Sequence, residues 1–113
     1  MPYYLGIDIG TSASKGVLID AECQIVAQAS CQHETENPQD GWYQHDAEAI
    51  WWGDFCRLSR ELIERAGIEA NQIRCVGLSA LGCDCVPVDE DCHALAPAIL
   101  YGVDARSKPQ IDE

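Results

Sequence analysis

YYLGIDIGTSASKGVLID, residues 3–20, reads as a strand, a tight polar turn and a second strand. Tyr4-Leu5-Gly6-Ile7-Asp8-Ile9 is a short, mostly apolar run that suits a buried strand. Gly10-Thr11-Ser12-Ala13-Ser14 is small and hydroxyl-rich, with a glycine where the chain must turn. From Lys15 the chain is apolar again and ends at Asp20. Such a hairpin gathers backbone N–H groups, hydroxyls and the Lys15 ammonium around a small volume, which is the chemistry of a phosphate cradle. Asp8, at the end of the first strand, adds a carboxylate suited to Mg²⁺, directly or through water. An acid inside an apolar strand costs free energy unless it is paired, hydrated or metal-linked. The same residues also fit a plain hairpin with a polar loop, and a short motif alone does not separate the two. Neither GxxxxGK[ST] nor GxGxxG occurs, so the turn is neither a Walker A loop nor a dinucleotide fingerprint.

Downstream, Gln24 to Gln32 alternates, with Ile25, Ala27, Ala29 and Cys31 expected on one face of a third strand. Three antiparallel strands joined by tight turns form a meander. His33 to Gln44 is polar, contains Pro38, Asp40 and Gly41, and reads as a loop. Trp42 and Tyr43 at its far end are either an anchor onto the core or part of a pocket wall. Asp46 is placed to cap a helix whose apolar face is Trp51, Phe55, Leu58, Leu62 and Ala66, with Gly67 as its stop. This helix reads as scaffold without chemistry of its own. Ile73 to Ala80 is an apolar run of strand length, and its position after a long helix predicts a crossover into parallel pairing. Cys85 to Val88 reads as a short strand, and 107–113 shows no terminal element.

The 113 residues suffice for one modest domain. A formal net charge of −12 argues against nucleic acid or an anionic membrane as partner, since both would be repelled. It also means that a bound phosphate would rely on Mg²⁺, backbone donors and the few fixed cations such as Lys15. No apolar run reaches the length of a membrane span and no basic-then-apolar leader opens the chain, so a cytoplasmic setting is expected. The seven scattered cysteines read as reduced thiols, several buried as small hydrophobes. Cys83, Cys85, Cys92 and His93 are four soft ligands close in sequence, open to a zinc reading or to a core one. His33, His45 and His93 stand apart in loops and read as solvated surface groups, none of them a catalytic base.

Three separated stretches together resemble the start of an FGGY-family carbohydrate kinase. LGIDIGTSASKGVLID, residues 5–20, resembles the phosphate hairpin of the actin-like, ribonuclease H-like ATPases. GWYQHDAEAIWW, residues 41–52, is similar to the family's Gly-Trp-x-x-x-Asp-x-x-x-x-Trp signature before the first long helix. VGLSALGCDCVPVDEDCHALAPAILYGVDAR, residues 76–106, looks like the family's strand, loop, strand and Pro-Ala-Ile-Leu-(aromatic)…Asp-x-Arg segment. The resemblance implies an α/β, ribonuclease H-like (actin-like ATPase) fold: a mixed sheet of a three-stranded antiparallel meander plus one crossover parallel strand, in an incomplete domain. It implies ATP and Mg²⁺ as cofactors and a sugar or polyol as phosphoryl acceptor. Asp8 would be the Mg²⁺-associated carboxylate, Gly10, Thr11 and Ser12 would line the phosphate turn, and Lys15 matches a basic position of the same hairpin. Asp104 would hydrogen-bond sugar hydroxyls and Arg106 would shape the cleft floor. Leu81 to Asp84 stands where many members carry Gln-Met-His-Gly, so Cys83 or Asp84 is expected to meet a different polyol. Members are several times longer, so residues 1–113 are expected to be the front part of a first domain, with the catalytic carboxylate and the second, nucleotide-binding domain outside them. Phosphoryl transfer needs both sides of the phosphate held, so this piece alone is expected to be inactive.

Two other readings remain at this level. An ATPase activator of a radical dehydratase shares the Asp-x-Gly-(Ser/Thr) hairpin, but uses cysteines for an iron–sulfur cluster, and no cluster spacing is evident here. A non-catalytic module would self-associate into a homo-oligomer through an exposed sheet edge or apolar surface.

Overall fold

The computed structural model describes residues 1–113. Its first strand, β1 (Tyr3–Ile9), expected as a buried apolar run, is buried on one face only: Leu5, Ile7 and Ile9 are buried, whereas Tyr4 and Asp8 are exposed. β2 (Ala13–Ile19) returns antiparallel, pairing Asp8 with Lys15 and Ile7 with Gly16. β3 (Ile25–Gln32) completes the meander. A register shift at Leu18/Ile19 displaces the start of β3, so Ile25 is 58% exposed. Ala27 and Ala29 stay buried and Cys31 half-buried, so the expected inward row loses only its first member.

The chain then crosses over the sheet. The Asp46 carboxylate accepts the N–H groups of Glu48 and Ala49 at 3.1 and 3.0 Å, as a cap should. The first turns, Ala47–Trp52, open to π geometry before α1 (Gly53–Ala66) runs regularly to Gly67. Gly67 closes the helix in the left-handed conformation, φ 66°. Leu58 and Leu62 are fully buried against the sheet, with Trp51, Phe55 and Ala66 packed around them. Each of these leucines contributes about 1.5–3 kcal/mol of burial. The approach is close at Gly16, where a Cβ would lie 2.7 Å from Leu62 Cδ1 and 3.0 Å from Ile7 Cδ1. Glycine there lets the helix press onto the hairpin.

β5 (Ile73–Ala80) pairs parallel to β1 along its length, giving the four-stranded order β3-β2-β1-β5. Parallel strands usually have both faces covered, yet every β5 residue from Arg74 to Ala80 is exposed. β5 is also an edge. A second, small sheet pairs β4 (Gln44–His45) with β6 (Ala98–Ile99), and its Ala98 and following Leu100 are buried. The strand expected over Cys85 to Val88 is reduced to isolated bridges, Cys85 to Ile99 and Val88 to Ala94. Where no terminal element was expected, α2 (Lys108–Ile111) forms a single turn begun by Ser107. No helix is long and apolar enough to cross a membrane.

Candidate functional site

β1 and β5 run parallel, so their C-terminal ends meet at one sheet edge, with Ile9 beside Ala80. The Gly10–Ser12 turn follows one strand and the Leu81–Asp84 loop follows the other. In open α/β sheets, ligands gather at such ends. The structure therefore brings the candidate phosphate turn and the candidate sugar loop to the same edge.

Asp8 and Lys15 are cross-strand neighbours on the face away from α1, both exposed. They border an open depression of about 480 Å³ whose floor includes Gly6 and Gly77. Neither side chain forms a hydrogen bond or an ion pair. The turn is tight: Gly10 N–H donates to the Ala13 carbonyl at 2.9 Å, and a Cβ on Gly10 would lie 3.0 Å from that oxygen. Thr11 and Ser12 are exposed, and neither backbone N–H donates to a protein group. Ser14, counted in the sequence among the hydroxyls of the cradle, is completely buried and donates to Asp54 Oδ2 at 2.7 Å. It faces the helix and is not available to a phosphate. The remaining set (a free carboxylate, two free N–H groups, two hydroxyls and an ammonium) fits a magnesium–polyphosphate in donor type, since Mg²⁺ prefers hard oxygen ligands.

Behind the turn lies a polar network that sequence reading missed. Asp54, on the first turn of α1, is 2% exposed. Its Oδ2 also meets His33 Nδ1 at 2.8 Å, and its Oδ1 accepts from Arg57 at 2.8 Å. Burial pushes this carboxyl up, but the bonds from Ser14, His33 and Arg57 outweigh it and hold the group below its ordinary value. His33 Nε2 lies 2.7 Å from the Gly10 carbonyl. His45 is completely buried, with Nδ1 accepting the Trp51 indole N–H at 3.1 Å and Nε2 lying 3.1 Å from the Thr11 carbonyl. Burial pushes the His45 imidazole down, against the opposing pull of the Thr11 carbonyl and the Asp84 charge. The expectation of solvated histidines is therefore corrected for His33, whose side chain is 5% exposed, and for His45; His93, at 71%, is solvated. The helix is likewise more than a scaffold. One signal was legible: Asp54 falls on the apolar stripe, between Trp51 and Leu58, where a charge demands partners.

In the Leu81–Asp84 loop, Asp84 Oδ1 accepts the Tyr101 N–H at 2.6 Å, while Oδ2 is buried without any partner. Cys83 is exposed in a turn with φ 63°. Asp104 departs from the role that the resemblance implied. Its side chain is 4% exposed, and its oxygens accept the Tyr43 N–H at 2.6 Å, the Arg106 N–H at 2.9 Å and the Arg106 guanidinium at 2.8–3.1 Å. Arg106, with those hydrogen bonds first among the causes, holds Asp104 at about 2. No oxygen is left over for a sugar hydroxyl; the carboxylate instead ties 100–106 to the Gly41–Gln44 segment. The Arg106 guanidinium also stacks 4.3 Å from the Trp42 ring centre, which makes Trp42 an anchor.

No cysteine is buried: five are exposed, and Cys31 and Cys56 are half-buried, contrary to the expectation of thiols in the core. Cys83, Cys85, Cys92 and His93 do not come together as a ligand set; the residues that do cluster are Asp89, Asp91 and His93, all on one acidic turn.

Comparison with known proteins covers nearly the whole chain. The model for the FGGY family of carbohydrate kinases, N-terminal domain, matches residues 3–113. A glycerol kinase of Albidiferax ferrireducens is 39% identical over 79 residues, 70% of this chain and 16% of its own length. Among solved structures, a xylulose (xyloylose) kinase from Brucella ovis superposes with a TM-score of 0.85 at 30% identity, covering 96% of this chain and 22% of that one. Plasmodium falciparum glycerol kinase with ADP superposes at 0.84 with 24% identity, over 99% of this chain and 22% of that one. The activator of 2-hydroxyisocaproyl-CoA dehydratase from Clostridium difficile reaches only 0.50, over 71% of this chain, so the dehydratase-activator reading is not favoured. The fold is the α/β, actin-like ATPase class expected, with its mixed sheet. The chain spans about a sixth of the length of the glycerol kinases that it matches, 16% in the first of them.

Proposed function

Because the chain belongs to the FGGY family of carbohydrate kinases, we propose that it supplies one wall of an ATP-dependent kinase that transfers the γ-phosphoryl group to a hydroxyl of a sugar or polyol. The observation that carries this reading is the Gly10–Ser12 turn, with two unpartnered N–H groups beside the unpaired Asp8 carboxylate and the Lys15 ammonium. The N–H groups and hydroxyls of Thr11 and Ser12 bind phosphoryl oxygens, and Lys15 offsets their charge. Asp8 would hold Mg²⁺, directly or through water, and a metal held there would supply positive charge against the phosphates. On the same sheet edge, the half-buried Asp84 carboxylate has Oδ2 without a donor, and a small shift of this loop would let a substrate hydroxyl supply one. Cys83 sits beside it in the exposed turn and borders the same hydroxyl-bearing ligand. Asp104 and Arg106 build the wall from behind and do not touch the sugar.

The test is ATP consumption by the protein that carries this segment, with pentuloses, hexuloses and polyols offered in parallel. Activity on at least one of them supports the reading, and inactivity across the whole panel overturns it. The 113-residue piece by itself, holding only one side of the phosphate, is expected to show no turnover.

A second reading is favoured by β5, an uncovered edge whose Val76 and Leu78 are 45% and 68% exposed. An isolated chain with such an edge pairs with a second copy, although a net charge of −12 on each copy opposes it. Sedimentation at high concentration decides: a strictly monomeric, folded species rules it out.

A further inference from the structure

Three consecutive carbonyls of the phosphate turn point into the protein. Gly10 O faces His33 Nε2 at 2.7 Å, Thr11 O faces His45 Nε2 at 3.1 Å and Thr35 Oγ1 at 3.0 Å, and Ser12 O accepts the His33 backbone N–H at 3.0 Å. In a planar trans peptide the C=O and the following N–H point in opposite directions. A Gly10 carbonyl held inward therefore sends the Thr11 N–H outward, and an inward Thr11 carbonyl does the same for Ser12. These are the two N–H groups of the turn without a protein acceptor.

The two imidazoles are themselves held. The Trp51 indole can only donate, so His45 Nδ1 must accept and the ring hydrogen sits on Nε2, facing both Thr11 O and Thr35 Oγ1 at 3.1 Å; Thr35 Oγ1 in turn donates to the same Thr11 carbonyl. The His45 ring lies edge-on to His33, with centres 5.0 Å apart. His33 Nδ1 is fixed by the buried Asp54 carboxylate, which Ser14 and Arg57 also address. Ser14, His33 and Asp54 do not form a nucleophilic triad. Ser14 donates straight to the acid and is completely buried, so no substrate reaches it.

We propose that His33 and His45 are positioning residues of the phosphate turn: acting through the Gly10 and Thr11 carbonyls, they aim the Thr11 and Ser12 N–H groups at a phosphoryl oxygen. The identity of that anion rests on the kinase reading above; the anchoring of the turn does not.

The test uses isotope-labelled 113-residue chain, wild type and four variants: His33→Leu, His45→Leu, His33→Gln and His45→Gln. The glutamines keep an N–H donor near the Nε2 position, and the leucines do not. Without ligand, the leucine variants should shift the Gly10 and Thr11 carbonyl resonances and change amide exchange at Thr11 and Ser12, and the glutamine variants should stay close to wild type. With Mg²⁺-pyrophosphate, and separately with Mg²⁺-ADP, the wild-type Thr11 and Ser12 amides should move, with binding about tenfold weaker in the leucine variants and restored by glutamine. Carbonyl resonances unmoved in folded leucine variants overturn the proposal, as does anion affinity equal to wild type. If the leucine variants do not fold, the wild-type tautomer still decides, since His45 protonated on Nδ1 is incompatible with the proposal. Wild-type amides that ignore both anions, alongside carbonyls that do respond to the variants, overturn the kinase-site reading and leave the anchoring established.

Discussion

On the face of the sheet under α1, Leu5, Ile7, Ile9 and Leu18 are at most 9% exposed and Ser14 is fully paired. On the opposite face of the same strands, Asp8 and Lys15 are exposed and unpaired. The alternation of a strand separates the two, since Ile7, Asp8 and Ile9 are consecutive residues. One face is where the chain is held together, and the other is where charged groups stand ready without internal partners. The Gly10–Ser12 turn joins them: its carbonyls are held from the covered side, while the Thr11 and Ser12 N–H groups have no protein acceptor. A binding group can be both exposed and rigid if its anchors lie behind it.

If the faces differ in this way, truncation should tell them apart. Leu62→Ala, on the covered face, should cost about 2–5 kcal/mol in urea denaturation, whereas Lys15→Ala, on the open face, should fall within about 0.5 kcal/mol of wild type. Comparable costs would mean that the open face is covered in solution. Asp54→Ala should rank next, at about 1–3 kcal/mol, because it strips a partner from both Ser14 and His33. A loss much below that range would place the network outside the stabilising face. Gly16→Ala should cost about 1–2 kcal/mol by overpacking: the Leu62 methyl that must yield is itself fully buried. A neutral or stabilising result at Gly16 would show that α1 sits less tightly on the hairpin.

The elements of the covered face were legible because two periods write them: two residues for the strands, three to four for the helix. The parallel placement of residues 73–80 also followed from their order in the chain. Burial of polar groups was not legible in the same way. His33 reads as a loop residue because its partner Asp54 is 21 positions away, and only the crossover helix brings them together. His45 reads the same way because the Thr11 carbonyl is 34 positions away. β5 misleads in the opposite sense: its composition suits a strand covered on both sides, and nothing in these residues covers it. At the site, the side chains of Asp8, Thr11 and Ser12 stand unpaired around one turn, which their residue types suggested, but those types could not reveal that Asp104 spends its carboxylate on Arg106 and Tyr43.

That internal use of Asp104 has a pH signature. Its carboxyl is lowered from 3.8 to about 2. A folded value below the unfolded one means that the stabilisation is fully present above about pH 4 and is lost as pH falls through the folded value. Stability should therefore decline between about pH 4 and pH 2, and Asp104→Asn should flatten that part of the denaturation profile. An unchanged slope in the variant would show that Asp104 is not so tightly tied to Arg106 in solution.

Asp8→Asn should have the smallest effect on stability, and for that reason it is the sharpest probe of the open face. Asp8 has no hydrogen-bond or salt-bridge partner to lose, and the change removes one negative charge from a chain at −12. The denaturation midpoint should stay within about 0.5 kcal/mol of wild type, in either direction. Mg²⁺-dependent nucleotide binding should nonetheless fall, because a neutral amide is a weak ligand for a hard cation. A clear loss of stability would place Asp8 among the structural residues. Unchanged stability with Mg²⁺-dependent binding fully retained would remove it from the metal site. Only a stable variant with weakened Mg²⁺-dependent binding fits a sheet whose one face stabilises the fold and whose other face is left free for ligand.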